Sequence, residues 1–174
     1  MASRGRDAHS RPPRGFTLIE LLVVVVIIGV LAFALTLSIG GSAERQLTRE
    51  AERFQALVGQ ACAQAELSGR EIGVRVDAGG FSFHLLAGDE WQDADKRGEL
   101  RPRQWIDGLH AELSREGRIV DLSAPRNSAP QLVCFSSGEL TPFALTLALG
   151  DAARYRVTGA DDATLKVDRV EGAR

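Results

Sequence analysis

One acid without a countercharge carries most of the chemical content of this sequence. Glu20 stands inside the run FTLIELLVVVVIIGVLAFALTLSI, residues 16–39, and no Lys or Arg occurs between Arg14 and Arg45. An ionised carboxylate in hydrocarbon costs about 2–3 kcal/mol even on lenient insertion scales, and it demands a cationic partner. No such partner exists within the segment. It must come from another chain, or be a new α-amine made by proteolysis. The remaining reactive residue types are scattered. His9, His84 and His110 have no metal-ligand spacing and read as structural or exposed. Cys62 and Cys134 cannot make a four-thiolate zinc site and read as small buried residues, a mutual disulfide being the lesser alternative. Asp89, Glu90, Asp93 and Asp95 offer carboxylates to calcium. They lack the glycine-containing spacing of an EF-hand loop, and a solvated acidic loop is the favoured reading. No nucleophile, base and acid recur together. The expectation is no enzyme, no catalytic residue, no bound metal and no cofactor.

The element that positions Glu20 is legible. Between Leu21 and Leu37, thirteen of seventeen residues are Leu, Val, Ile or Phe and none is charged. At roughly −0.3 to −0.6 kcal/mol each, they favour insertion by about 5 kcal/mol, more than Glu20 costs. A lone segment in lipid must be helical to satisfy its own backbone, so residues 16–39 read as a transmembrane helix. Residues 1–15 hold Arg4, Arg6, Arg11 and Arg14 against Asp7, with Pro12, Pro13 and Gly15. They read as a basic leader that stays in the cytoplasm, with everything after Ile39 across the membrane. The apolar run is too long for an ordinary cleaved secretory signal; a plain single-span anchor is the simple alternative.

The rest of the chain must form a globular head. The 174 residues allow one domain plus an appendage, and 44% hydrophobic with 25% charged residues excludes wholesale disorder. A net charge of −2 argues against binding nucleic acid through bulk positive charge. Residues 40–69 read as an amphipathic helix half whose stripe is Leu47, Ala51, Phe54, Val58, Ala61 and Ala65, with Gly69 as its stop. That stripe predicts packing on a sheet of the same chain, and Gly40-Gly41 predicts a loosened helix at the membrane exit. From Ile72 the period changes to two. A hairpin of residues 72–77 and 81–85 turns through Ala78-Gly79-Gly80. Residues 87–108 read as irregular, anchored by Trp91 and Trp105. Strands are expected at 109–114, 117–122, 131–136 and 143–149, and a last hairpin joins 154–158 to 163–167 through GADD. The head, 70–174, is thus mostly antiparallel β, and the fold class is α+β.

Gly15-Phe16-Thr17-Leu18-Ile19-Glu20-Leu21-Leu22 resembles the class III signal of type IV pilins and type II secretion pseudopilins. The resemblance implies that a membrane prepilin peptidase cleaves between Gly15 and Phe16 and methylates the new amine of Phe16. Glu20 then becomes the fifth mature residue and the intramembrane acid used in assembly, neutralised by a neighbouring subunit's charged amine. In the head, Phe135-Ser136-Ser137-Gly138-Glu139-Leu140-Thr141-Pro142-Phe143 is similar to the Phe-x-x-Gly-x-x-Thr-Pro pattern of the GspH-type domain of H-type minor pseudopilins.

These resemblances imply a type IV pilin-like fold: a long N-terminal helix, half transmembrane and half amphipathic, packed on the β head. They imply an inner-membrane, single-pass protein with its head in the periplasm, where a disulfide is permitted. The function implied is that of a minor pseudopilin at the pseudopilus tip, which helps move folded exoproteins across the outer membrane. Its partners would be the I, J and K types, the major pseudopilin, the prepilin peptidase and the inner-membrane assembly platform. The alternative is a FimT/FimU-like minor pilin of a type IV pilus, in pilus assembly or DNA uptake. The balanced charge of the tail, residues 167–174, lowers the DNA reading.

Overall fold

A computed structural model describes residues 17–94, 98–123, 129–150 and 154–170, without the side chains of residues 32–41. The chain divides into two compact units, residues 1–39 and 40–174. Helix α1 (Leu18–Ser68) includes Gly40 and Gly41. It stops where the sequence says it should. Gly69 takes φ +65°, and the amide of Arg70 reaches back to the Ala65 carbonyl at 3.3 Å, closing the last turn.

In the second unit, all six residues of the predicted stripe are buried with no exposed surface. They face two antiparallel sheets of the same chain. The first sheet contains β1 (Ile72–Asp77), β2 (Gly80–Ala87), β3 (Glu90–Asp93), β4 (Arg103–Gln104) and β7 (Leu132–Cys134). Its order is β3-β2-β1-β7, with β4 also paired to β2. The second contains β5 (Leu109–Arg115), β6 (Arg118–Ile119), β8 (Phe143–Leu149), β9 (Arg154–Gly159) and β10 (Leu165–Val170), in the order β10-β9-β8-β5-β6.

Alternation along β1 and β2 sends Ile72, Val74, Val76, Phe81 and Phe83 to the buried core. Phe54 of α1 meets Phe81 edge-to-face at 5.0 Å and Phe143 of β8 at 6.0 Å. One ring thus ties the helix to both sheets. Trp105 joins it at 6.0 Å and is buried, as an anchor should be.

Three expectations need correction. Residues 87–108 are not simply irregular, because β3 and β4 both pair with β2. They escape notice because strands of four and two residues show too few alternations to register a period. The strand expected at 117–122 shrinks to Arg118–Ile119, and the last strand begins at Leu165 rather than Ala163. Ala163 takes φ +58°, which ends the turn later than composition suggests.

Candidate functional site

The start of α1 can be built from Thr17. Its hydroxyl accepts the Glu20 amide at 3.3 Å, while its carbonyl accepts the amides of Glu20 and Leu21 at 3.1 and 3.2 Å. Thr17 is therefore the N-cap and Glu20 the third helical residue, where a carboxylate also meets the positive end of the helix dipole. Thr-x-x-Glu is the sequence signal of a capping box, and it passes unnoticed beside the stronger apolar pattern. Gly15 and Phe16 lie outside the described residues, as do the leader and His9.

Every described side chain from Thr17 to Leu31 is exposed, the large apolar ones from Leu18 at 84% down to Val24 at 42%. A helix apolar on all sides needs lipid or other helices around it. Among the described residues no helix is long and apolar enough to cross a membrane. The described side chains of the run end at Leu31, whereas the expected span, 16–39, reaches beyond them on both sides.

The 135–143 segment carries the chain from one sheet to the other. Gly138, at φ +89°, closes a tight turn in which its amide meets the Phe135 carbonyl at 3.1 Å. Leu140 bridges back to Cys134 and is buried. The Thr141 hydroxyl accepts the Val133 amide at 3.1 Å, and its own amide donates to the Val133 carbonyl at 2.9 Å, so the free edge of β7 is satisfied. Pro142 then precedes β8, and Phe143 plugs the core against Phe54. A Cβ on Gly159 would strike Phe143 and Leu140, so the bare backbone there makes room for the motif.

The favoured reading of the cysteines is overturned. Cys62 of α1 and Cys134 of β7 form a disulfide, with Cα atoms 4.8 Å apart. Cys62 follows Ala61 on the buried face of the helix, and β7 lies against that face through β1. A spacing of 72 residues carries no hint of this, because sheet topology alone brings the two together. Of the acidic stretch, Asp89 is exposed before β3, Glu90 and Asp93 are on β3, and Asp95 is outside the described residues. Among the described residues no three His, Cys, Asp or Glu side chains gather as a metal group. His110 is exposed on β5.

Ser82, His84 and Asp93 form a hydrogen-bonded chain that the sequence does not announce. Ser82 and His84 are two apart on β2 and share its outer face; Asp93 on β3 is the register partner of His84. Ser82 Oγ lies 3.0 Å from His84 Nε2, and His84 Nδ1 lies 3.2 Å from Asp93 Oδ1. With Nδ1–H donating to the carboxylate, Nε2 accepts the serine proton. Burial and the nearby Arg75 guanidinium push the imidazole below its ordinary value, against the opposing pull of Asp93. The Asp93 side chain is 64% exposed, so water competes for the carboxylate end of the chain.

The comparisons with known proteins bear on both ends of the molecule. A family model of the prokaryotic N-terminal methylation motif matches residues 10–36. One for type II transport protein GspH matches residues 50–162, most of the head. The chain belongs to the GspH family. This GspH-family chain is 37% identical to type II secretion system protein H of Pseudomonas aeruginosa, covering 94% of this chain and 99% of that one. It is 33% identical to the protein of the same name from Aeromonas hydrophila, covering 85% and 88%. Its fold matches the crystal structure of the minor pseudopilin EpsH from the type II secretion system of Vibrio cholerae. That match has TM-score 0.63 at 27% identity, over 75% of this chain and 99% of that one. The solution structure of Escherichia coli GspH agrees in fold, with TM-score 0.57. The type IV pilin-like α+β architecture read from the sequence is thus the architecture found. Within it, the Phe135–Phe143 segment is one of the connections of the GspH domain that join the two sheets.

Proposed function

We propose that this chain is a minor pseudopilin of a type II secretion system, an element of the pseudopilus tip that helps move folded exoproteins across the outer membrane. The observation that carries the reading is the lone Glu20 carboxylate in the first turn of a helix whose described apolar side chains from Leu18 to Leu31 are all uncovered. Such a surface is stable only when lipid or neighbouring helices enclose it. Once enclosed, the carboxylate has to be neutralised.

Cleavage between Gly15 and Phe16 supplies the partner. Glycine lets an extended backbone enter a tight peptidase site. Methylation of the Phe16 amine keeps its positive charge, which then meets Glu20 of an adjacent subunit. The helix over residues 16–39 crosses the inner membrane once, and the head works in the periplasm. Its partners are the other minor pseudopilins of the I, J and K types, the major pseudopilin, the prepilin peptidase and the assembly platform. The role is structural rather than enzymatic. The names of the matching relatives favour secretion over a type IV pilus.

The test is complementation of a strain lacking the gene. Glu20→Ala and Gly15→Leu are each expected to abolish exoprotein secretion. Mass spectrometry of the membrane-extracted wild type is expected to find N-methylphenylalanine at position 16. Normal secretion by either variant, or an intact arginine-rich start, overturns the reading.

A further inference from the structure

The outer face of the first sheet holds a cavity of about 700 Å³ that the assembly role leaves unused. Cavities of roughly 300–1,000 Å³ accommodate whole ligands rather than single ions. The floor is Arg75, Ser82 and His84, which share one sheet face because Arg75 is the register partner of Ser82. The opposite wall is the segment Arg101–Gln104. That wall is tied to the sheet. Arg103 pairs with Phe81, and a Cβ on Gly80 would collide with the Arg103 carbonyl, so only glycine allows so close an approach.

Three guanidiniums, Arg75, Arg101 and Arg103, therefore line one cavity. Among the described residues neither Arg101 nor Arg103 forms an ion pair. Arg103 donates one long hydrogen bond, 3.3 Å, to the Glu99 carbonyl, and its Nε is buried without a partner. Burial, with Arg101 and Arg53 close by, holds its guanidinium below the ordinary value. Like charges gathered in this way repel until an anion joins them.

Two carboxylates also line the cavity, and both are engaged. Asp77 accepts the Gly79 amide at 2.8 Å, and Asp93 holds His84. Three arginines against two aspartates leave one unit of positive charge, with both signs present on the wall. With its single net positive charge spread over two walls and aspartates set among the arginines, that pattern suits single carboxylates set along a chain better than one compact dianion such as phosphate. Arginine also clamps a carboxylate through two parallel hydrogen bonds.

We infer that this cavity is a docking site for an acidic, extended polypeptide segment of another protein, whose carboxylates are clamped by Arg101 and Arg103. The inference does not depend on which secretion or pilus system the chain serves.

Calorimetric titration of the full-length chain in detergent micelles tests it. The probe is the peptide acetyl-Gly-Glu-Asp-Glu-Gly-amide, with its Gln-Asn-Gln counterpart and inorganic phosphate as separate arms. Saturable binding of the acidic peptide is expected, weakened at least tenfold in Arg101→Gln and in Arg103→Gln. Arg118→Gln, on β6 of the other sheet, is expected to bind as the wild type does. Arg101 is an exposed side chain, so its variant keeps the test decisive even if Arg103→Gln fails to fold. Absence of saturable binding, equal affinity for the amide peptide, or unaltered affinity in Arg101→Gln overturns the inference. So does tighter binding of phosphate, which would make the cavity a site for small inorganic anions.

Discussion

His84 shows how single residues here depend on their neighbours. Burial and Arg75 oppose its protonation more than Asp93 favours it, so its folded value lies below 6.5. The unfolded chain binds a proton near pH 6.5 that the folded chain refuses. This contribution to stability is therefore complete above that value and is lost as pH falls through it toward the folded value. Glu50 has the opposite sign. Burial raises its carboxyl above 4.5 despite Arg53, whose guanidinium stands 2.6 Å away, so the folded chain holds a proton there that the unfolded one has released. The two are separable by substitution. Urea unfolding between pH 7 and pH 5 is expected to show a smaller loss of stability in His84→Gln than in the wild type. Equal slopes would remove His84 from the account. A Glu–Arg pair three residues apart on a helix ordinarily adds little support. Packing instead buries Glu50, and Arg53 also donates to the Gln104 carbonyl at 2.9 Å, which links helix to sheet.

At the scale of elements, the helix and the first hairpin are legible because each repeats its period several times. The stripe from Leu47 to Ala65 is buried at every predicted position. The pairing of Ile72–Asp77 with Gly80–Leu85 follows from simple alternation around two glycines. Short pieces are different. β3, β4 and β6 have four residues or fewer, and their existence depends on the strand beside them rather than on their own composition. The disulfide between α1 and β7 belongs to this class of fact. It closes a long loop, and the chain-entropy view assigns such a closure about 4 kcal/mol, with measured losses for native disulfides of about 2–5 kcal/mol. The double variant Cys62→Ser, Cys134→Ser is expected to unfold at a lower urea concentration by an amount in that range. A midpoint unchanged from the oxidised wild type would show that the helix stripe alone holds β7 in place.

The molecule as a whole is two units with opposite solvent requirements. Among the described residues the buried core runs from Leu47 to Val157 and contains none from the first unit. Residues 42–174 alone are therefore expected to remain soluble without detergent and to unfold in one cooperative step, followed by circular dichroism in urea. A gradual transition would mean that the head borrows stability from the apolar segment. The full chain, with Leu18–Leu31 uncovered, is expected to need detergent or lipid.

What the amino-acid order determines unaided is whatever depends on local repetition or on one costly residue. The apolar run, the stranded Glu20, the amphipathic stripe and the alternation of the hairpins are of this kind, since each is a property of neighbours along the chain. What the tertiary structure decides is whatever depends on residues far apart in the chain. The Cys62–Cys134 bond, the Ser82–His84–Asp93 chain and the three arginines about one cavity arise because sheet register and crossover place separate segments side by side. Periodicity reports which face of an element is buried, but it holds no information about which distant element will cover it.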